Sequence, residues 1–591
     1  MGVTTDKLDL TRISRSKEPK EKGNREGLDP SILDVQSFFD SVILGYSQGT
    51  DDDLSADINL ARSIVPAGTG AFRDFSYIAP DIPVLDADKC VGCMTCVIQC
   101  PDTAILGKVI ENDALGKEID QIANPVEARF MRNQFSRTKK FFDAPQKRDI
   151  EPGMFGIFID PTKCKGCSEC VEACEDLGYN ALKMIEKEDE TVPIYQKSID
   201  FFRKLPPTPE KYISDKLPVD MMLGEQSMLY VGGAGSCAGC GEATVLRMWL
   251  AALGYHYGSE NIGIVAATGC NTVYGSTYPF NPYLVPWTNS LFENAAADAI
   301  GVRLRWNQLG WEDKQLWVIG GDGAMLDIGF QSMSRVLASN LNIKILILDT
   351  QVYSNTGGQS STATFTGQET KMSQYGKAVH GKQELRKEIG RIAMMHPNTF
   401  VAQTVAAIPN HFYKSVLDAA SFDGPAIVNT YNTCQPEHGV GDDMSRHQAK
   451  LAVESRAFPA FIYDPRKGDT IRQRLSLQGN PAREKDWYTI PKTGETVDFI
   501  SFARTEGRFA KNFDSDGNPS ETLHAAQADR LTNWHMLQEM AGLTVGAAGG
   551  DGAPAPSTGK KPGAVAKMPP KSPGAGPRLP PKKPKLPPRP R

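Results

Sequence analysis

The chain has 591 residues, too many for a single compact core, so we expect at least two domains and terminal extensions. Its composition, 40% hydrophobic residues with a net charge of −5, allows packed cores and argues against nucleic acid as a partner. No apolar signal segment is visible near the start, and the apolar runs are only long enough for strands. We therefore expect a cytoplasmic protein with no membrane partner.

The composition changes along the chain in a way that predicts five segments. The last of them has ten Lys or Arg and no acidic residue between Gly552 and Arg591, together with many prolines, which predicts an extended tail. The predicted segments are a disordered N-terminus (1–28), a linker segment (29–84), a cysteine-rich domain (85–195), an α/β domain (200–545) and a disordered basic tail (546–591).

Twelve cysteines in a chain of this kind indicate metal binding or catalysis rather than a disulfide framework. Eight of them form two blocks with the spacing C-x2-C-x2-C-x3-C, "CVGCMTCVIQC" and "CKGCSECVEAC". In this pattern three thiolates bind one [4Fe–4S] cluster and the fourth binds the other cluster. The predicted ligands are Cys90, Cys93, Cys96 and Cys174 for cluster one, and Cys164, Cys167, Cys170 and Cys100 for cluster two.

Zinc is the alternative for these blocks, but zinc sites more often use separated pairs of ligands. The spacing therefore predicts a two-cluster (8Fe–8S) ferredoxin-like domain. Residues 102–163, between the blocks, include the basic stretch "RFMRNQFSRTKKFF". We interpret this stretch as a solvated insertion or as part of an interface.

The most informative stretch of the α/β domain is "KQLWVIGGDGAMLDIGFQSMSRVLASNLNIKILILDTQVYSNTGGQ". Leu316–Ile319 and Ile343–Leu348 are typical of buried strands, and apolar residues recur between them at helical spacing. This βαβ pattern predicts parallel strands. The glycines of "GGDG" let the backbone approach a phosphate, and Asp322 offers a hard oxygen to Mg²⁺. The Thr350 hydroxyl can reach the same ion. "GDG" followed by a distant Asn resembles the thiamine diphosphate motif.

Four cysteines remain outside the two blocks. Cys237 and Cys240 precede an apolar helical run, whose N-terminus favours thiolates and diphosphate alike. Cys270 and Cys434 each follow a predicted strand, "IGIVAA" and "AIVNTY". Carboxyl ends of parallel strands share the ligand-binding edge of a sheet. The alternative, a buried core thiol, fits each of these two residues singly but not their joint placement. We assign all four cysteines to a third [4Fe–4S] cluster beside the thiamine diphosphate.

The combination of "GSCAGCGE", "ATGC", "GDG…LDTQVYSNTGGQ" and the two cysteine blocks resembles the C-terminal half of the pyruvate:ferredoxin (flavodoxin) oxidoreductases, over about residues 55–513. This family is a branch of the 2-oxo acid:ferredoxin oxidoreductases. The resemblance implies a doubly wound α/β thiamine diphosphate domain with an inserted ferredoxin-like domain. It also implies thiamine-dependent oxidative decarboxylation of a 2-oxo acid to an acyl-CoA, which is reversible.

The resemblance also implies roles for individual residues. Glu242 and Cys270 would contact thiamine diphosphate, and Asn355 would face the substrate, which makes Asn355 and Glu242 the implied catalytic residues. Asp322, Thr350 and the Val352 carbonyl would bind Mg²⁺. The residues that would hold the diphosphate and its ion are Gly321, Asp322, Gly323, Ala324, Thr350, Gln351, Val352, Tyr353, Ser354 and Asn355.

Single-chain members of the family are about twice as long and carry the remaining substrate and CoA contacts in N-terminal domains. We therefore expect a second polypeptide that supplies this half, in a dimer of heterodimers, with ferredoxin or flavodoxin as electron acceptor. Pyruvate is favoured, and 2-oxoglutarate or another 2-oxo acid is the alternative. The other hypotheses are a non-catalytic electron-transfer subunit, a non-redox decarboxylase, and an interaction protein that acts through its proline-rich tail.

Overall fold

The computed structural model describes residues 35–54, 65–214, 216–373 and 380–544, all of which belong to one compact unit. The disordered N-terminus and basic tail predicted from the sequence lie outside the described residues. No helix within the described ranges combines the length and apolar character needed to span a bilayer.

An eight-stranded sheet forms the centre of the molecule. Its strands are β6 (Ile262–Ala267), β7 (Trp287–Ser290), β8 (Gln315–Gly321), β9 (Lys344–Asp349), β10 (Phe400–Val405), β11 (Ala426–Tyr431), β12 (Phe461–Tyr463) and β13 (Leu475–Ser476). Their order in the sheet is β13-β12-β10-β11-β9-β8-β6-β7, and the six strands from β10 to β7 are parallel. At one edge β12 pairs antiparallel with β10, and β13 pairs antiparallel with β12.

Both faces of this sheet are covered, as its near-continuous apolar strands require. Successive side chains of a strand point to opposite faces. Accordingly, Leu346 and Leu348 of β9 enter one apolar core, whereas Ile345 and Ile347 enter the other. The predicted doubly wound α/β class is confirmed.

Helices cover the two faces and fill the ends of the molecule. The longest is Glu521–Met540, and the most completely buried is Gly241–Tyr257. The other α-helices of six or more residues in the described ranges are Asn112–Asp120, Pro125–Arg132, Glu169–Asp176, Thr191–Lys204, Cys270–Gly275, Ala295–Gln308, Phe330–Leu337, Ile389–Met394, Pro409–Ala420, Ser445–Glu454 and Phe499–Arg504. A π-helix of six residues lies at Gly323–Ile328, and 3₁₀-helices of six residues lie at Pro218–Leu223 and Gly507–Asn512.

The cysteine-rich segment contains two small antiparallel sheets. One pairs β1 (Asp81–Leu85) with β5 (Leu182–Glu186), and the other places β4 (Gly153–Ile159) between β2 (Ile105–Glu111) and β3 (Phe135–Ser136). A third pair lies far along the chain, β14 (Tyr488–Thr489) with β15 (Thr496–Val497).

Buried polar contacts fasten the cysteine-rich segment to the α/β part. Gln99 Nε2 donates to the Ala406 carbonyl at 3.0 Å. The Glu169 carboxylate accepts from the backbone N–H groups of Ser445 at 3.0 Å and Arg446 at 2.8 Å, at the start of the helix Ser445–Glu454. One apolar core also runs through both parts. The two segments that the sequence analysis separated therefore pack as a continuous body.

Candidate active site and cluster sites

Four neighbouring strands bring the predicted site residues to one edge of the sheet. The strands β6, β8, β9 and β11 are adjacent and parallel, so their carboxyl ends share that edge. Cys270, Asp322, Thr350 and Cys434 follow these strands by one to three residues. The strand predictions behind this placement agree with the structure, since β6 is "IGIVAA" and β11 is "AIVNTY".

A cavity of about 390 Å³, counting the space open to solvent, lies at this edge. Glu242, Cys270 and Asn355 all line it, and Asn355 belongs to the loop after β9. The predicted cofactor-binding residues in its lining are Glu242, Cys270, Gly321, Gly323, Ala324, Thr350, Val352, Tyr353, Ser354 and Asn355. Asp322 and Gln351 are not among the lining residues.

The other two predicted Mg²⁺ ligands, Asp322 and the Val352 carbonyl, both lie close to the Thr350 hydroxyl. Its oxygen lies 3.3 Å from Asp322 Oδ1 and 3.2 Å from the Val352 carbonyl oxygen, and the Thr350 backbone N–H also donates to Asp322 at 3.1 Å. Ser361 Oγ donates to the other Asp322 oxygen at 2.5 Å. A carboxylate, a hydroxyl and a carbonyl held this close form an oxygen set of the kind that Mg²⁺ prefers.

The Asp322 carboxyl is fully buried. Burial, and next the nearby charge of Asp349, raise its pKa well above the ordinary value. Asp349 in turn pairs with the buried Arg386. A divalent cation at Asp322 would offset this crowding of negative charge, so the site fits such an ion on electrostatic grounds.

Gln351 turns away from the cavity. Its backbone is left-handed, at φ +60°, and its side chain donates to Asp349 and accepts from Arg508 at 3.0 Å. Tyr353 keeps its ring in the lining while its hydroxyl donates to Asp327 at 3.1 Å. A Cβ added to Gly323 would lie 2.3 Å from the Tyr353 ring, so this close approach requires glycine.

Glu242 stands in the first turn of the helix Gly241–Tyr257, with its side chain buried at the cavity wall. Burial raises its pKa to about 8, and the Tyr274 hydroxyl donates to it at 3.5 Å. A carboxyl with this pKa is protonated at neutral pH and can donate a hydrogen bond to a ligand in the cavity.

The four remaining cysteines are electrostatic neighbours. Burial is the main cause that raises the pKa of the Cys270 thiol, followed by the charges of Glu242, Cys240, Cys434 and Cys237. Such effects are appreciable only at short range. Residues that lie far apart in the sequence therefore come near one another beside the cavity, and their role as ligands of one cluster stays a prediction.

The loop that carries Cys237 and Cys240 is fixed by a close backbone approach. Gly239 has φ +68°, and a Cβ there would lie 1.8 Å from the Asp442 carbonyl oxygen. Cys240 is the N-cap residue of the helix Gly241–Tyr257. Burial raises the pKa of Cys434 to about 12, although a hydrogen bond from Ser354 acts in the opposite direction. Ser354 thus joins the cavity to this cysteine group.

The eight cysteines of the two blocks also influence one another, and because Cys96 of predicted cluster one acts on Cys170 of predicted cluster two, the division between the clusters stays a prediction. Burial, and then the charges of Cys90, Cys93 and Cys174, raise the pKa of Cys96 well above the ordinary value. Burial, followed by Cys167, Cys164, Cys100 and Cys96, does the same for the pKa of Cys170. As they stand, no three His, Cys, Asp or Glu side chains in the described ranges are arranged to hold a metal ion. Cluster binding by these groups is therefore a proposal.

Some residues at the edge were missed or left open by the sequence analysis. Ser361, which bonds Asp322, and Phe292, which lines the cavity, follow no recognised pattern. His438, four residues after Cys434, could be a structural residue or a substrate contact. It is fully buried, and its Nε2–H donates to the Thr350 carbonyl at 2.9 Å, which favours the structural role.

Two family models match the chain. One, described as the C-terminal TPP-binding domain of thiamine pyrophosphate enzymes, covers residues 267–430, and the other, a 4Fe-4S dicluster domain, covers residues 82–175. Two separate parts of the chain are thus similar to a thiamine pyrophosphate-binding domain and to a 4Fe-4S dicluster domain.

Named relatives give the more particular likeness. The chain is 27% identical to a probable pyruvate-flavodoxin oxidoreductase of Escherichia coli K12, over 90% of its own length and 48% of the relative's. It is 26% identical to the pyruvate:ferredoxin oxidoreductase of Moorella thermoacetica, over 86% of its own length and 46% of the relative's. The predicted resemblance to these oxidoreductases is confirmed. The chain spans about half the length of the curated relatives it matches.

Proposed function

We propose that the chain is the thiamine diphosphate- and cluster-binding part of a 2-oxo acid:ferredoxin or flavodoxin oxidoreductase that forms an acyl-CoA and CO₂. Pyruvate is the proposed substrate, because the relatives are pyruvate enzymes by name. The reaction releases two electrons, which the chain would pass to ferredoxin or flavodoxin.

A single observation carries this proposal: Cys270 belongs to two sites at once. It lines the cavity together with Glu242 and Asn355, and it is an electrostatic neighbour of Cys240, Cys434 and Cys237. A cluster on these four thiolates would lie against whatever occupies the cavity. Decarboxylation without redox chemistry would give no reason for this contact.

Bound thiamine diphosphate would supply the carbanion that attacks the 2-oxo carbon and then accepts the electrons left by decarboxylation. The residues of the chain position this chemistry. Asp322, Thr350 and the Val352 carbonyl would hold Mg²⁺, and the glycines around Asp322 would let the backbone approach the diphosphate. Protonated Glu242 would donate a hydrogen bond, and Asn355, which also lines the cavity, would orient the substrate.

The proposal includes three [4Fe–4S] clusters. The third would take electrons at the cavity, and the two clusters of the cysteine-rich segment would carry them outward. Their predicted ligand sets are supported by the mutual effects of the thiols on one another. Low reduction potentials, near about −400 mV, would suit ferredoxin as acceptor.

A complementary half is also proposed, because the relatives are about twice as long. It would supply further substrate and CoA contacts. A second polypeptide in a dimer of heterodimers fits this need, and so does a further segment joined to this one. Mass spectrometry of the native assembly distinguishes the two arrangements.

The decisive experiment is anaerobic purification from the native host through a tag on this chain. We expect about twelve irons per chain and reduction of a low-potential dye that depends on pyruvate, on CoA and on thiamine diphosphate with Mg²⁺. Dye reduction that depends on 2-oxoglutarate but not on pyruvate would overturn the proposal that pyruvate is the substrate. Protein that contains iron but does not bind thiamine diphosphate would overturn the proposed enzymatic function and favour a subunit that only transfers electrons.

A further inference from the structure

A buried cation lies between the cavity and the cysteine-rich segment. Arg247 is on the helix Gly241–Tyr257, and its guanidinium is almost wholly shielded from solvent. It donates to the carbonyl oxygens of Cys100 at 2.8 Å and Ile105 at 3.2 Å, and also to that of Val97. All three carbonyls belong to the cysteine-rich segment, so the side chain crosses from one part of the molecule to the other.

The charge of Arg247 is not neutralised by a carboxylate. None of the ion pairs found among the described residues includes Arg247, and its hydrogen-bond partners are uncharged carbonyls. Lys165, another buried cation near these cysteines, behaves differently because it pairs with Asp102 at 2.6 Å. An arginine remains protonated even when buried. A net positive charge therefore persists at this point of the interior.

Two of the four groups that counteract the effect of burial on this cation are thiols. Burial lowers the pKa of Arg247, while Cys100, Tyr413, Asp102 and Cys96 act in the opposite direction, with Cys100 the strongest of them. Asp102 is already paired with Lys165, and Tyr413 is neutral at pH 7. A predicted ligand of cluster two, Cys100, is thus a neighbour of the guanidinium through both its carbonyl and its thiol.

The helix also fixes how far this cation lies from the cavity. Cys240 is its N-cap and Arg247 is seven residues further on, which corresponds to a rise of roughly 10 Å at about 1.5 Å per residue. One rigid element therefore holds a predicted ligand of the third cluster at one end and the cation beside Cys100 further along.

We propose that Arg247 raises the reduction potential of the cluster bound through Cys100, and so makes that cluster the electron acceptor for the one at the cavity. A positive charge in a medium of low dielectric constant stabilises the reduced, more negative state of a nearby cluster. Arg247 is a positioning residue in this role, since it contacts the backbone of the ligand and not the substrate. The inference rests on the proposed cluster assignment.

The test is a redox titration followed by electron paramagnetic resonance, on protein purified anaerobically through a tag on this chain, with dithionite and no 2-oxo acid. We expect Arg247→Gln to make one cluster at least tenfold harder to reduce, which is 59 mV for one electron. Arg247→Lys keeps the charge and should stay close to the wild type. Full iron content with unchanged potentials in Arg247→Gln would overturn the proposal.

A second measurement decides the matter if Arg247→Gln fails to assemble its clusters. The signal of cluster two is identified as the one that Cys164→Ser removes, and the signal of cluster one as the one that Cys90→Ser removes. In the wild-type protein, the signal of cluster two should titrate at a higher potential than that of cluster one. The reverse order would overturn the proposal. Wild-type protein without iron would instead contradict the proposed function, so the two failures are distinguishable.

Discussion

The cysteine-rich segment and the sheet edge build similar groups of thiols in opposite ways. In the segment, eight cysteines between Cys90 and Cys174 are grouped by short, repeated spacing. At the sheet edge, four cysteines between Cys237 and Cys434 are grouped only because β6 and β11 end on the same side. The first arrangement is local, whereas the second exists only when the whole sheet has formed.

This difference teaches where each site is vulnerable. Loss of one thiol in the segment would remove a proposed cluster ligand but leave the sheet and its cavity intact. Damage to the sheet removes the cavity and the third cysteine group together, because both depend on the same strand ends. The following predictions separate the two regions, from the largest effect to the smallest.

Cys434→Ser should abolish pyruvate-dependent dye reduction and remove about four irons per chain, because a hydroxyl replaces a soft thiolate ligand. Cys93→Ser is the matched variant in the segment, and should also lose about four irons. Only Cys434→Ser should remove the cluster signal that changes when substrate is added. Equal responses of that signal in both variants would contradict the division into two regions.

Acid should lower the free energy of unfolding through His411, which lies on the helix Pro409–Ala420 and bonds Thr404 of β10. Burial lowers the pKa of His411 to about 4, so the unfolded chain binds a proton between about pH 6.5 and 4 that the folded chain does not. Stability is therefore lost as the pH falls through this window, by about 2–3 kcal/mol at pH 4.5. Urea unfolding at pH 7 and 4.5 measures the loss, which should be about 2–3 kcal/mol smaller in His411→Asn than in the wild type.

The exposed His524 supplies the control for this measurement. His524→Asn should leave the acid sensitivity of the wild type unchanged. If His411→Asn and the wild type lose the same free energy of unfolding between the two pH values, the assignment to His411 is wrong.

Asp322→Asn should weaken binding of thiamine diphosphate with Mg²⁺ by about tenfold or more, which is 1.4 kcal/mol, because the ion loses its carboxylate. The same substitution removes repulsion between Asp322 and Asp349. The cofactor-free protein should therefore keep or raise its melting temperature. Calorimetric titration and thermal unfolding separate these effects, with the exposed Asp313→Asn as control. Unchanged cofactor affinity would exclude Asp322 as a ligand.

Gln99→Leu tests the hydrogen bond between the cysteine-rich segment and the α/β part. It leaves the buried Ala406 carbonyl without its donor, at a cost of about 1–2 kcal/mol. Because the apolar core is continuous, unfolding should remain one transition with a lower midpoint, followed by fluorescence and circular dichroism. Two separate transitions would mean that the regions fold independently. Gln121→Leu, on the surface, should have little effect.

Much of the sheet edge was predictable because its strands are short, apolar and bounded by polar residues. β11 begins and ends where the pattern predicts, and β9 differs by one residue at each end. The spacing of the two cysteine blocks is likewise a local signal. These features depend on neighbouring residues, which the sequence displays directly.

The remainder depends on contacts between distant residues. Nothing in "DTQVYSN" shows that Gln351 turns inward to Arg508, because that partner lies far along the chain. Arg247 was equally hidden, since a single Arg in an apolar helix gives no sign of the carbonyls it will reach. The close packing of the cysteine-rich segment on the α/β part was missed for the same reason.

The helix Gly241–Tyr257 has a mechanical consequence. Its first fourteen residues are buried, so the helix should be rigid and keep Cys240 and Arg247 at a fixed separation. Charge passing from the cavity toward Cys100 would then need no hinge and no closing motion along this stretch. Any slow, viscosity-sensitive step of turnover should arise elsewhere, at the admission of substrate or at the collision with the soluble acceptor.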